Sequence, residues 1–144
     1  MKDVKPNGTN GGDFNSGAWR TRDLNELSGN TDFISLNANQ FTLDAGTYII
    51  EGSAPAFRVG EHKMRLYNVT DANISLDSTN ARTTTSPVDY SNSFIMGFFT
   101  IVSQKVFEIQ HICGVTFLEG GFGYSMGFDG NEIYTQVKIT KIAN

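Results

Sequence analysis

Nowhere in this chain do about 11 consecutive residues carry an apolar repeat of 3.6 residues free of glycine and β-branched side chains. That absence argues against helical architectures. Its place is taken by short runs of period two, punctuated by Gly, Asn, Asp and Pro. "AWRTRDLNEL", "TDFISL", "NQFTL", "TYIIEGSAPAF", "EHKMRLYNV", "ISLDS", "SNSFIMGFFTIV", "KVFEIQHICGV" and "EIYTQVKITKI" follow one another in this way, and a Gly-rich stretch, "EGGFGYSMGFDGNE", offers one more short strand between two turns. About nine or ten strands spaced by turn signals predict an all-β chain, an antiparallel two-layer sandwich.

Successive side chains on a strand point to opposite faces, so the runs also say which residues share a side. Tyr48, Ile50, Gly52, Ala54 and Ala56 fall together, opposite Ile49, Glu51 and Ser53. Met64 and Leu66 point inward, with Lys63, Arg65 and Tyr67 outward. Phe107, Ile109, His111 and Cys113 oppose Glu108 and Gln110. In the last run, Ile133, Val137 and Ile139 oppose Tyr134, Gln136 and Lys138. One run breaks the pattern. Residues 94–102 are apolar on both sides, with Phe94, Met96 and Phe98 on one and Ile95, Phe99 and Ile101 on the other. A sandwich covers only one face of a strand. The second face therefore needs a loop or, as the better expectation for so large a patch, another subunit.

At 144 residues the chain suits one domain, and 39% hydrophobic and 12% aromatic residues are enough for a core. A net charge of −4 offers no basic field for nucleic acid or an anionic membrane, and no apolar run is long enough for membrane insertion. Residues 1–17, rich in Gly and Asn, are expected as a leader without core of its own. It would be ordered only against another surface: the domain, a sister subunit or a larger assembly. The opening "MKDVKPNGTNGG" has no apolar segment of the signal-peptide kind.

Catalytic candidates are sparse. Cys113 is the one cysteine, which excludes an internal disulfide and a Cys-rich zinc site and fits a small buried hydrophobe. His62, beside a turn, is expected to be exposed. His111, two positions from Cys113, reads as a hydrogen-bonded core or interface residue. "FDGNE" lacks the ligand spacing of a calcium loop, and "GGFG" lacks the Lys-Ser/Thr of a phosphate loop. No catalytic residue, cofactor or metal is expected, so the chain is not read as an enzyme. Trp19, Tyr67, Tyr90 and Tyr124 are rings on which a sugar could stack.

The phrases "GTNGGDFNSGAWRTRDLNEL", "SLNANQFTLDAGTYIIEGSAPAF", "HKMRLYNVTD", "SFIMGFFTI", "KVFEIQHIC" and "GFGYSMGFDGNEIYTQVKI", in this order over roughly residues 8–142, resemble a module of bacteriophage tail-fibre and other virion structural proteins. That family is similar to TNF-like jelly rolls, two-layer sandwiches that assemble as three-fold trimers. The resemblance implies a jelly-roll domain over residues 18–144 and a leader, 1–17, acting as a docking arm. It implies a homotrimer with an interface at Phe94, Phe98, Phe107, Ile109, His111 and Tyr134. It places the protein on the virion surface after assembly in the host cytoplasm, with other capsid or tail proteins as partners. A tail-fibre knob for host surface glycans is the alternative. Its contacts would lie in the exposed loop of residues 79–92, at Thr83, Thr84, Thr85, Asp89 and Tyr90.

Overall fold

A computed structural model describes residues 1–144. It contains no helix and eleven strands: β1 (Lys2–Lys5), β2 (Arg20–Thr21), β3 (Ile34–Asn37), β4 (Gln40–Leu43), β5 (Gly46–Phe57), β6 (Glu61–Asn68), β7 (Asn73–Asp77), β8 (Ala81–Arg82), β9 (Tyr90–Ile101), β10 (Lys105–Cys113) and β11 (Glu132–Ala143). One sheet has the order β1-β11-β5-β9. The other has the order β3-β4-β10-β6-β7, with β2 joined to β10 and β8 to β6. Every pairing is antiparallel. The expected two-layer antiparallel sandwich is what the chain forms.

The inward faces make the core that the alternation predicts. Tyr48, Ile50 and Ala54 of β5 meet Met64 and Leu66 of β6, Phe107 and Ile109 of β10, and Ile95 of β9, all at most 1% exposed. Alanines at 54 and 56 leave room for the facing side chains, so the small-residue run is a packing device. Tyr48 can sit fully inside because its hydroxyl donates to the Asp44 carbonyl at 2.7 Å.

One parity expectation fails in β11. Tyr134 and Val137 both point inward, while Ile133 is 45% exposed. The cause is an irregularity in the β1–β11 ladder, where Lys2 pairs with Gln136 but Val4 with Ile133. An extra residue in one strand of a pair shifts all later side chains to the other face. Two strand expectations also shrink. Of "AWRTRDLNEL" only Arg20–Thr21 is a strand, and "EGGFGYSMGFDGNE" is loop up to Glu132, where β11 begins.

Of the three surfaces expected to order residues 1–17, the structure shows the chain's own domain, and the boundary expected after residue 17 runs through one packed unit. β1 is the edge strand of the smaller sheet, Asp3 is 1% exposed, and Phe14 is fully buried beside Phe122 and Cys113. Residues 8–16 then brace the loop of residues 116–127. Gly11 N donates to the Gly123 carbonyl (2.8 Å), Phe122 N to that of Gly12 (3.1 Å), and Phe14 and Phe117 exchange backbone bonds (3.0 and 3.1 Å). Asn10 bonds the Glu119 carbonyl and accepts from Ser125 N at 2.9 Å. Gly11 is required here, since a Cβ would come within 3.0 Å of the Phe122 backbone. The leader's polar backbone is thus satisfied by its own domain.

Deleting residues 1–12 is accordingly expected to lower the melting temperature by at least about 10 °C, because β1 and the loop braces are lost together. Thermal unfolding followed by circular dichroism checks this, and an unchanged melting temperature would contradict the packed role.

Candidate functional site

The six residues expected at a subunit interface divide sharply. Phe107, Ile109 and His111 are fully buried, and Tyr134 is 4% exposed with its hydroxyl on the Thr9 carbonyl at 2.7 Å. These four belong to the chain's own core and offer no side chain to a partner. The reason is non-local: β10 lies in the middle of the larger sheet, between β4 and β6, with its odd-numbered residues facing the other sheet. Phe94 and Phe98 behave as expected of surface residues, at 56% and 74% exposed, and Met96 between them is 79% exposed.

β9 is an edge strand, paired with β5 alone from Gly46↔Ile101 to Phe57↔Tyr90 in one unbroken register. Thr79 takes both backbone groups of Phe94, its N–H reaching the Phe94 carbonyl at 2.8 Å and its Oγ1 accepting the Phe94 N–H at 2.9 Å. By the alternation of antiparallel ladders, Met96, Phe98 and Thr100 also direct their N–H and C=O groups away from β5. No neighbouring strand meets those three. Edge strands are normally protected by charges, proline, bulges or brevity. The opposite edge, β1, has all but proline: it is four residues long, its register is broken, and Lys2 and Lys5 are paired with Glu26, Asp3 and Asp23. β9 has twelve residues, no charge, no proline and no bulge. Val102, 91% exposed, extends its apolar side. Together Phe94, Met96, Phe98 and Val102 expose roughly 500 Å² of apolar surface, near the upper end for a monomer.

The loop proposed for a ligand spends its polar groups on its own shape. Thr83 is 1% exposed, and its Oγ1 accepts from Val59 N (2.8 Å) and Gly60 N (3.1 Å). Asp89 accepts from Thr84 N at 2.6 Å and Tyr90 N at 2.8 Å, one bond to each oxygen. The Thr84 hydroxyl donates to the Pro87 carbonyl, and the Thr85 carbonyl accepts from Arg58 Nε at 3.0 Å. Tyr90 is half-buried, 6.2 Å from the ring of Phe57. Thr83 in particular is a structural residue and not a contact.

His62 overturns its expectation. It is 3% exposed, on the same face as Met64 and Leu66, and its Nδ1 lies 2.9 Å from His111 Nε2. Its Nε2 lies 2.7 Å from Ser91 Oγ, which lies 3.0 Å from the Arg82 carbonyl. A serine in line with two imidazoles resembles a hydrolase triad, and the hydrogen bonds decide against it. The Arg82 carbonyl can only accept, so Ser91 donates to it. Ser91 then accepts from His62 Nε2–H, leaving His62 Nδ1 to accept from His111 Nε2–H. In this tautomer His62 holds a proton toward the serine and cannot remove one. His111 Nδ1 is left buried without a partner. Burial, and secondarily the Arg22 guanidinium, push His62 down to about 4 and His111 well below its ordinary value. Burial pushes the Cys113 thiol up to about 11, which keeps it from being a thiolate nucleophile.

The two basic side chains of "EHKMRLYNV" are both engaged by their own chain. Lys63 pairs with Asp77 at 2.9 Å. Arg65 donates from Nε to Gln110 Oε1 at 2.8 Å, and its guanidinium stacks 3.9 Å from the Trp19 ring and 4.8 Å from that of Tyr67. Two of the four rings considered for sugar stacking thus have a face turned to Arg65. No protein-family model and no curated protein sequence matches the chain.

Proposed function

We propose that the chain is a non-enzymatic structural protein of the bacteriophage virion surface, a jelly roll working as a homotrimer in a capsid decoration, a head fibre or a small fibre. The observation that carries the self-association is the uncharged, uncovered β9, with Phe94, Met96 and Phe98 on its outer face. Three copies burying roughly 500 Å² each would bury roughly 1,500 Å² over the three interfaces of a trimer, so surface beside the patch must also be buried to reach the roughly 1,200–2,000 Å² of a standard interface. The particle itself enters through the resemblance of the ordered phrases between residues 8 and 142 to virion modules. The second reading is the tail-fibre knob for host surface glycans. It is favoured by a groove on the outer face of the larger sheet, away from β9.

Mass spectrometry of gradient-purified particles, with cryo-electron microscopy to place the density, tests the proposal. The expected result is the protein on the mature particle at a three-fold site. Its presence in infected-cell lysate and absence from particles would contradict a structural role.

A further inference from the structure

The outer face of the larger sheet changes character along β6. Its cross-strand pairs run Tyr67↔Glu108, Arg65↔Gln110 and Lys63↔Ile112. The first two rungs carry side chains locked in a hydrogen-bonded ladder: Gln40 Nε2 donates to Glu108 at 2.9 Å, Gln110 to Glu108, and Arg65 to Gln110. Beyond them the side chains of β10 fall away to Ile112 and Gly114. There a cavity of about 660 Å³ opens, bordered by Glu61, Lys63, Asn80, Arg82, Ile112 and Gly114. Its volume is within the range of small-ligand sites, roughly 300–1,000 Å³.

We propose that this groove binds a neutral oligosaccharide, an inference that rests on the glycan-recognition reading above. Three other ligand classes fit poorly. For an anion the field is cancelled, since Lys63 is paired with Asp77 at 2.9 Å and Arg82 with Glu61 at 3.4 Å. For an extended peptide there is no free strand edge, because His62 pairs with both Ala81 of β8 and Cys113 of β10. For a wholly apolar ligand Ile112 is the one large apolar side chain on the wall. What fits is a molecule with many hydroxyls and a small apolar face. Glu61 accepts, Lys63 and Arg82 donate, Asn80 does both, and Ile112 meets the C–H face.

The test is an array of neutral hexose and N-acetylhexosamine di- and trisaccharides beside sialylated and sulfated glycans, followed by calorimetry with the best neutral binder. Glu61→Ala and Asn80→Ala each change an exposed side chain, so melting temperature and molecular mass should stay the same. Each is expected to weaken binding about tenfold, the effect of one or two lost hydrogen bonds, while Thr85→Ala on the neighbouring loop leaves it unchanged. Neutral binding untouched by both groove variants, or binding of acidic glycans alone, overturns the groove while leaving glycan recognition standing. No binding to any glycan overturns both.

Discussion

Replacing Arg22 by methionine is expected to remove a large part of the folding stability, although Arg22 lines no proposed binding surface. Arg22 is fully buried and has no carboxylate partner in contact. Its Nε donates to Thr135 Oγ1 at 2.7 Å, Nη1 to the Pro55 carbonyl at 3.1 Å, and Nη2 to the Phe122 carbonyl at 2.8 Å, while the guanidinium lies 4.0 Å over the Phe122 ring. Desolvation lowers its pKa to about 10, so it stays charged at neutral pH. These bonds tie β5, β11 and the loop of residues 116–127 to one side chain. Methionine keeps much of the aliphatic volume but orphans the acceptors, at about 1–3 kcal/mol for each group left unsatisfied. A total loss of about 3–5 kcal/mol is expected, against a typical total stability of 5–15 kcal/mol. Lysine should recover only part of it, because one ammonium cannot reach three divergent acceptors. Urea unfolding of the wild type, Arg22→Met and Arg22→Lys checks this. A midpoint for Arg22→Met within error of wild type would show that the three bonds contribute nothing net.

Acid should be the second strong perturbant. His62 and His111 are buried neutral, with the charged Arg22 nearby, Cys113 opposite His62 in the β6–β10 ladder, the Phe14 ring beside His111 and Ser91 as hydrogen-bond partner of His62. Their folded pKa values lie below the ordinary 6.5, so the unfolded chain binds more protons as pH falls through that value. Stability is therefore present in full above 6.5 and lost progressively below it, down to about 4 where folded His62 begins to titrate. With both residues contributing, the slope approaches about 2.7 kcal/mol per pH unit. Asp3, raised by burial, works in the opposite sense just above its ordinary 3.8. Comparison with His62→Gln isolates the pair: its stability should fall less steeply between pH 6.5 and 4. A wild-type stability that is flat across that interval would contradict the buried neutral pair.

Much of the fold was legible because strand side chains alternate and turns carry Gly, Asn and Asp. The inward sets Met64–Leu66 and Phe107–Ile109 could be read directly. His62 was legible by the same rule, as it shares the parity of Met64 and Leu66, but the neighbouring turn suggested exposure. β1 was hidden for a physical reason: a protected edge strand is short and charged, and Lys-Asp-Val-Lys looks like a tail. Phe14 gave no pattern because it enters the core alone from a loop. Which strand lies central and which at an edge depends on distant pairings. Parity therefore showed that Phe107, Ile109 and His111 share a face without showing that the face is internal. The candidate surface on β9 was the reverse case, since a run apolar on both sides carries the same message wherever it is placed.

The central claim is that the outer face of β9 holds copies of this chain together. Light scattering coupled to size-exclusion chromatography tests it most directly, on the wild type and on Phe98→Glu, a change at a residue exposed enough to leave the protomer folded. The account predicts a wild-type mass three times the 15.8 kDa of the chain, and a single folded 15.8 kDa protomer for the variant. A wild-type protein that stays at 15.8 kDa at tens of micromolar, or a trimer indifferent to the glutamate, would contradict it.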